Sequence, residues 1–192
     1  MKRTFFTVIM LTAFIFTLPA EEHYGRWLSG TVSFSGQSNG QRQSATTIMP
    51  EIGFYLSDSW SAGVKAGFST SRTKIDNNVR SENAFSIMPF AKYNFGKLAG
   101  ISVFGQGELP LTFTGGKHYD GSSMDGTTAV GFRIRPGISY LFSERWGFKM
   151  LMPPVINFTS SDGSSSYKLG FNDGYTIQNY LLNTSIGFIY MF

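Results

Sequence analysis

The group of residues best suited to catalysis in this sequence is a histidine followed closely by two serines. His118 could act as a general base for the hydroxyl of Ser122 or Ser123, as in a hydrolytic or acyl-transfer site. Two acidic residues that could orient the histidine, Asp120 and Asp125, lie in the same segment. Serine and aspartate among glycines are also typical of turns, where their side chains bond to the backbone. The segment favours a polar connection over a catalytic site, and we expect no enzymatic activity.

Metal and cofactor sites are not indicated either. The sequence contains no cysteine, which excludes thiolate ligands and disulfides. Four aspartates in polar segments have no spacing that fits a calcium-binding loop; they are Asp120, Asp125, Asp162 and Asp173. No glycine-rich phosphate-binding loop opens a predicted helix. We expect neither a metal nor a cofactor.

A second set of polar residues lies at alternate positions within otherwise apolar stretches. Its eight members are Glu51, Lys65, Lys92, Gln106, Glu108, Arg133, Arg135 and Lys149. If these stretches are strands, the alternation places all eight side chains on one face of a sheet. In a closed sheet they would point inward and form ion pairs and hydrogen bonds with one another. We therefore predict an interior polar network.

Alternation of apolar residues with a period of two predicts the strands that would hold this network. Three segments share an Ile-x-Pro start followed by alternating apolar and aromatic residues: 48–56, 87–95 and 134–142. A fourth segment, 186–192, ends the chain in the same phase. Short turns such as 57–59 and 143–145 separate these segments from the strands that follow. The sequence predicts an all-β fold, an eight-stranded antiparallel up-and-down transmembrane β-barrel.

The connections at the opposite end of the predicted hairpins are longer and polar. They cover residues 36–43, 71–83, 115–126 and 160–175. Short periplasmic turns and longer extracellular loops are typical of outer-membrane barrels. Pro50, Pro89 and Pro136 lie inside predicted strands, where proline removes a ladder hydrogen bond. We expect local bulges at these three prolines.

The direction of the apolar face distinguishes a membrane barrel from a soluble, lipocalin-like ligand carrier. Aromatic residues cluster next to the short turns, as in the girdle at a membrane interface. They are Phe54, Trp60, Tyr93, Phe95, Tyr140, Phe142, Trp146 and Tyr190. The large apolar faces would also overfill the interior of an eight-stranded barrel. We predict that the apolar face contacts lipid, and the lipocalin-like carrier remains the alternative.

The first 20 residues have the order of a secretory signal peptide. Lys2 and Arg3 precede an apolar run that ends near Ala20, and the run is too short for a spanning helix. We predict a cleaved signal over residues 1–20, an N-terminal stub over 21–26 and the barrel over 27–192. The formal net charge of +4 is too small to indicate a nucleic-acid partner.

The motif [Leu/Phe]-Ser-[Asp/Glu]-x-Trp at 56–60 and 142–146, and the alternation that ends on Phe192, carry a resemblance to a known family. The sequence resembles small bacterial outer-membrane β-barrel proteins of the porin-like superfamily, especially those of Bacteroidetes, and more distantly the OmpX and OmpA barrels. The resemblance covers residues 27–192, although the turn after Phe95 departs from the motif. It implies a monomer in the bacterial outer membrane, surrounded by lipid and lipopolysaccharide. It also implies that Phe192 is part of the signal read by the barrel-assembly machinery.

Three functional classes remain open at this point. The first is a non-enzymatic barrel with a side-chain-filled interior and a structural or surface-interaction role, such as adhesion or the display of loops. The second is a narrow porin-like channel for small solutes, although eight strands leave an interior filled by side chains. The third comprises an outer-membrane lipid-modifying enzyme and the soluble ligand carrier.

Charge placement at two neighbouring positions of one strand tests the predicted orientation. Ile138→Lys would place a charge in hydrocarbon, at a cost of about 2 to 4 kcal/mol near the midplane. Ser139→Lys would face the polar interior and should be tolerated better. The measurement is the folding yield of both variants in lipid vesicles. If Ser139→Lys is the more damaging change, the apolar face lines a cavity and the carrier hypothesis is favoured.

Overall fold

The computed structural model describes residues 25–39, 41–75, 78–161, 163–170 and 184–192. The predicted signal peptide and most of the predicted stub lie outside these residues. All strands and turns discussed below belong to the described ranges. In those ranges there is no helix long and apolar enough to cross a membrane.

Eleven strands form one antiparallel sheet. They are β1 (Arg26–Asn39), β2 (Gln41–Tyr55), β3 (Trp60–Ile75), β4 (Asn78–Leu98), β5 (Ile101–Glu108), β6 (Leu111–Lys117), β7 (Ser123–Leu141), β8 (Trp146–Leu151), β9 (Ile156–Ser161), β10 (Ser164–Leu169) and β11 (Ser185–Met191). The pairings run β1–β2–β3–β4–β5–β7–β8–β11 and return to β1. The prediction of an all-β antiparallel fold is confirmed, and the strands form a closed ring.

The ring closes between the two ends of the described chain. β1 pairs with β11 from Trp27↔Met191 to Val32↔Ile186. Next to this ladder, the N–H of Arg26 donates to the carbonyl of Phe192 at 3.1 Å, and the N–H of Phe192 donates back at 2.9 Å. The backbone groups at this junction are therefore paired.

The sequence predicts eight strands, whereas the described ranges contain eleven, and prolines account for two of the additional boundaries. β5 and β6 both pair with β4 and β7, and they are separated at Leu109 and Pro110. β8 and β9 both pair with β7, and the segment between them contains Pro153 and Pro154. Proline has no N–H to donate, so the ladder lapses at these points. β10 and β11 complete the set, and they pair with β9 and β8 respectively.

The segments predicted as long loops are largely strand, which corrects that prediction. β1 and β2 are separated only by residue 40, and β3 and β4 only by residues 76–77. Polar side chains bond across these hairpins: Thr70 Oγ1 donates to Asn83 Oδ1 at 2.8 Å. The residues of these hairpin ends are polar on both faces, so the alternation that marks a half-buried strand is absent. A pattern-based prediction therefore reads them as loops.

The prolines disturb the register less than predicted. β2 keeps one register with β3 on both sides of Pro50, from Ile48↔Phe68 to Glu51↔Lys65. Pro89 remains paired with Val64. The bulges predicted at Pro50 and Pro89 are wrong, because a missing N–H removes a ladder bond without requiring an extra residue.

At Pro136 the irregularity lies on the facing segment. Between Gly137↔Leu151 and Ile134↔Ile156, that segment has two residues more than β7. The extra length contains Pro153 and Pro154. The predicted disturbance near Pro136 is therefore present in its neighbour.

Three large aromatic side chains enter the interior directly opposite glycines. The cross-strand pairs are Trp27↔Gly53, Gly63↔Phe90 and Phe104↔Gly137. A Cβ added at these glycines would collide with the rings of Trp27, Phe90 and Phe104 respectively. The absence of a side chain at each glycine gives the facing ring its space.

The two turns that share the serine–tryptophan motif also share their hydrogen bonds. Ser57 Oγ accepts from the N–H of Trp60 at 3.0 Å, and Ser143 Oγ accepts from the N–H of Trp146 at 2.9 Å. In each turn the tryptophan carbonyl accepts from the two residues that begin the motif. The serine therefore fixes the local geometry of both turns.

The turn between β4 and β5 can be improved by substitution. Ala99 and Gly100 have φ values of 50° and 83°, the pattern of a type I′ turn, in which Asn-Gly is favoured. Ala99→Asn is expected to raise the free energy of unfolding by on the order of 1 kcal/mol. Gly100→Ala should lower it, because its Cβ would lie 3.2 Å from Tyr140 Cε2 at a positive φ. Urea titration of folded protein measures both, and a destabilising Ala99→Asn would contradict the assigned turn.

Candidate functional site: a charged network and a cavity inside the strand ring

The eight residues of the predicted polar network occupy inward positions on β2, β3, β4, β5, β7 and β8. Six are almost fully buried: Gln106 and Glu108 have 0% exposure, Glu51 and Lys65 2%, Lys149 3% and Lys92 6%. Arg133 and Arg135 are half-buried. Ion pairs and hydrogen bonds join six of the eight, whereas Arg135 bonds to the backbone of the segment after β8 and Lys92 lies apart from the ion pairs.

Glu108 is the acceptor at the centre of the network. Its carboxylate accepts from Lys65 Nζ at 2.6 Å and from Gln106 Nε2 at 2.8 Å. It also accepts from Arg133 Nε. Donors on β3, β5 and β7 therefore converge on one carboxylate, and charge-assisted bonds of this kind are stronger than neutral ones.

Glu51 extends the network to the opposite side of the ring. Its Oε1 accepts from Lys149 Nζ, and its Oε2 lies 3.6 Å from Lys65 Nζ. Lys65 thereby lies between the two carboxylates. Side chains from β2, β3, β5, β7 and β8 are linked through this arrangement.

Arg135 contacts the backbone at the break between β8 and β9. Its Nε donates to the carbonyl of Met152 at 2.7 Å, and its Nη2 donates to that of Leu151 at 3.2 Å. These carbonyls immediately precede Pro153, where the strand ladder lapses. The guanidinium supplies donors at a point where the backbone ladder does not.

Lys92 lies among aromatic rings. Its Nζ is 4.9 Å from the centroid of Trp27, 5.0 Å from that of Phe104 and 5.7 Å from that of Tyr55. These separations are within the range of cation–π attraction. No ion pair of the described residues includes Lys92.

A cavity of about 500 Å³ lies beside Lys92, at the end of the ring where the short turns are. Its lining includes Tyr55, Asp58, Lys92, Lys97, Ser102 and Ser139.

Trp27 and Phe90 pack against each other with ring centroids 5.8 Å apart. Lys65 and Lys149 contact this pair from the network, at 5.5 Å from Phe90 and 5.3 Å from Trp27. The aromatic pair therefore lies between the network and Lys92.

The predicted aromatic girdle lies on the outer face near the short turns. Six of its eight members are exposed: Trp60, Tyr93, Phe95, Tyr140, Phe142 and Trp146. Phe54 and Tyr190 are half-buried. Neighbouring strands bring rings together, with centroids 4.9 Å apart for Trp60 and Tyr93 and 4.8 Å apart for Trp146 and Tyr190.

The segment around His118 forms a turn. The N–H of His118 donates to the carbonyl of Ser122 at 2.9 Å. The hydroxyl and N–H of Ser122 donate to Asp120 Oδ1 at 2.6 and 2.9 Å. These two bonds hold the pKa of the Asp120 carboxyl below its usual range, and the bond from the Ser122 hydroxyl has the larger effect. The Ser122 hydroxyl is thus directed to Asp120 as in turns of this composition.

The aspartates considered as metal ligands are partly outside the described chain. Asp162 and Asp173 lie there. In the described part, no group of three or more histidine, cysteine, aspartate or glutamate side chains could hold a metal ion.

Residues 26–172 match the model of the family described as "Putative MetA-pathway of phenol degradation". The chain belongs to this family. The solved structure of Neisserial surface protein A (NspA) is similar, with 15% sequence identity, a TM-score of 0.43, and coverage of 88% of this chain and 96% of that chain. No curated protein matches the chain.

Sequence reasoning missed the aromatic layer in the interior of this family member. Trp27, Phe90 and Phe104 have exposures of 5% or less. Their inward positions follow from the same period of two that places the charged residues. The sequence feature that could have predicted this layer is a glycine at the inward position of the neighbouring strand, since a glycine there leaves room for a large ring.

Glu108→Gln is expected to lower the free energy of unfolding by about 3 to 5 kcal/mol, because it leaves buried cations without their carboxylate. The matched control is Glu82→Gln, which breaks an ion pair with Arg80 that is about one-third exposed. Such a pair contributes no more than about 1 kcal/mol. Denaturant titration of both variants gives the comparison. Equal effects would show that the interior network does not stabilise the fold.

Proposed function

We propose that this chain is an integral β-barrel protein of the bacterial outer membrane, with a side-chain-filled interior and a structural or surface-interaction role. The main support is that the distribution of polar and apolar side chains is the reverse of that in a soluble protein. Charged side chains are buried inside the ring, whereas large apolar side chains cover its outer face. A protein surrounded by water has the opposite arrangement.

The outer face is apolar over a continuous region of the ring. Exposure reaches 72% for Phe34 and 66% for both Phe68 and Phe188. Leucine, isoleucine and valine residues of β1, β2, β5 and β11 are also exposed. Soluble monomers rarely expose apolar patches larger than a few hundred Å². Such an apolar face is stable in contact with lipid hydrocarbon. Because the ladder of strands closes on itself, the backbone N–H and C=O groups are hydrogen-bonded within the sheet, as lipid requires.

We propose eight spanning strands. β5 and β6 pair with the same two neighbours, β4 and β7. β8 and β9 both pair with β7. β10 pairs with β9, and β11 pairs with β8. Each pair would therefore act as one spanning strand interrupted at a break. About 9 to 11 residues cross the hydrocarbon, and β4 has 21. The excess length would project beyond the membrane as polar hairpins.

The polar hairpins carry a cationic patch on their outer face. Arg42 pairs with Lys74, and Arg72 lies two residues before Lys74; all three side chains are exposed. Like charges directly opposite each other repel, and bound anions would relieve this. Phosphates of lipopolysaccharide are the anions expected at this level. This placement supports the short turns as the periplasmic end.

Phe192 would serve as the assembly signal. It is exposed, and the terminal strand that it follows closes the ring against β1. We propose that the assembly machinery recognises this terminal aromatic residue, and that the protein works as a monomer without a cofactor or nucleic acid.

The network also favours a closed interior over an open channel. Hydrogen bonds connect side chains from five strands across the inside of the ring. The Trp27 and Phe90 rings pack beside this network. A ring of eight strands is only just wide enough for side chains. A narrow porin-like channel is the alternative that the test must exclude.

Two measurements test the proposal. The purified protein should migrate differently in SDS gels before and after boiling, because a closed ladder resists the detergent, and it should fractionate with outer membranes. In planar bilayers it should give no discrete conductance steps. Identical mobility together with a soluble periplasmic fraction would favour the carrier, and reproducible unitary conductance would replace the closed barrel by a channel.

A further inference from the structure

The cavity beside Lys92 contains a buried cation that forms no ion pair with the one acidic side chain of the lining, the exposed Asp58. Lys92 is 6% exposed, lines the cavity and takes part in no ion pair of the described chain. Burial of an unpaired charge is unfavourable unless it is compensated. The surrounding rings supply part of that compensation. An anion in the cavity would supply the rest.

Two more polar groups without partners lie in the same layer. Ser61 is the direct cross-strand neighbour of Lys92, and its buried Oγ has no hydrogen-bond partner. Trp27, whose ring is the closest to Lys92 Nζ, has a buried Nε1 without an acceptor. Buried donors of this kind are rare in folded proteins. Of these three donors, Lys92 lines the cavity, and Ser61 and Trp27 lie next to Lys92.

The rest of the lining distinguishes a small organic anion from an inorganic one. Apolar side chains of Leu141, Ile189 and Met191 line the cavity, and Tyr55 adds an aromatic ring. Serine hydroxyls at Ser102 and Ser139 line the same space. A volume of about 500 Å³ is within the usual range of small-molecule sites.

We propose that this cavity is a binding site for a small organic monocarboxylate with a compact apolar body. The carboxylate lies against Lys92 Nζ, and the apolar body packs among Tyr55, Leu141 and Ile189. The site lies at the short-turn end of the ring, separate from the Glu51 and Glu108 network. This binding goes beyond the proposed structural role but rests on the proposed membrane barrel, which heat-modifiable migration tests separately.

The test uses 4-fluorobenzoate as the probe, with the folded full-length mature protein in zwitterionic lipid nanodiscs. Line broadening of the fluorine NMR signal reports binding. The neutral analogue 4-fluorobenzyl alcohol has a similar body without the charge. We expect Lys92→Met to weaken 4-fluorobenzoate binding about tenfold or more, as for loss of a charge-assisted hydrogen bond. The alcohol should bind weakly to both proteins.

Matched variants separate a ligand site from a general effect of charge or folding. Lys117→Met removes an exposed cation of β6 that lies outside the cavity lining, and it should retain binding. Ser139→Phe keeps Lys92 but fills the cavity, and it should abolish binding. Heat-modifiable migration verifies that each variant folds. Lys92→Met should also be at least as stable to urea as the wild type, because the lost charge has no ionic partner.

Three results would overturn the proposal. One is the absence of 4-fluorobenzoate binding by the wild-type protein. Another is equal binding of the acid and the alcohol, which would show only partition into apolar space. The third is unchanged binding by Lys92→Met or by a folded Ser139→Phe protein.

Discussion

Glu51 and Glu108 lie almost fully buried within the ring, and every ion pair found there in the described chain ends on one of them. Lys65 and Lys149 reach the interior from separate strands and would each be an uncompensated charge without these carboxylates. The inward phase of five strands therefore depends on two acidic side chains. A shift of one residue in any of these strands would carry its charged member to the apolar outer face.

The interior is divided into layers with different ways of stabilising a cation. In the network, carboxylates and an amide accept hydrogen bonds. Next to it, the rings of Trp27, Phe90 and Phe104 take the space left by facing glycines. Lys92 lies in this second layer, where its ammonium contacts ring faces. The rings attract the ammonium but carry no net negative charge, so a bound anion would add to its stabilisation in this layer.

The alternation of polar and apolar residues predicted which residues face inward, because each strand of the ring has one face toward the polar interior and one toward the apolar outer surface. That signal located Glu51, Lys65 and Glu108 without any structural information. It failed at the hairpin ends, where residues such as Thr70 and Asn83 are polar on both faces. It also did not predict the strand breaks at Pro110 and Pro153, because other strands continue through Pro50 and Pro89 without a break. Those effects are set by tertiary contacts rather than by local pattern.

The pairing of Arg26 with Phe192 has a kinetic consequence. The residues that close the ring lie at opposite ends of the described chain, so closure requires almost the longest loop that the chain can form. Hairpins of neighbouring strands can form early, but they leave an unpaired edge until the final residue is in position. Such long-range pairing slows folding. The chain must therefore be kept from aggregating until β11 pairs with β1.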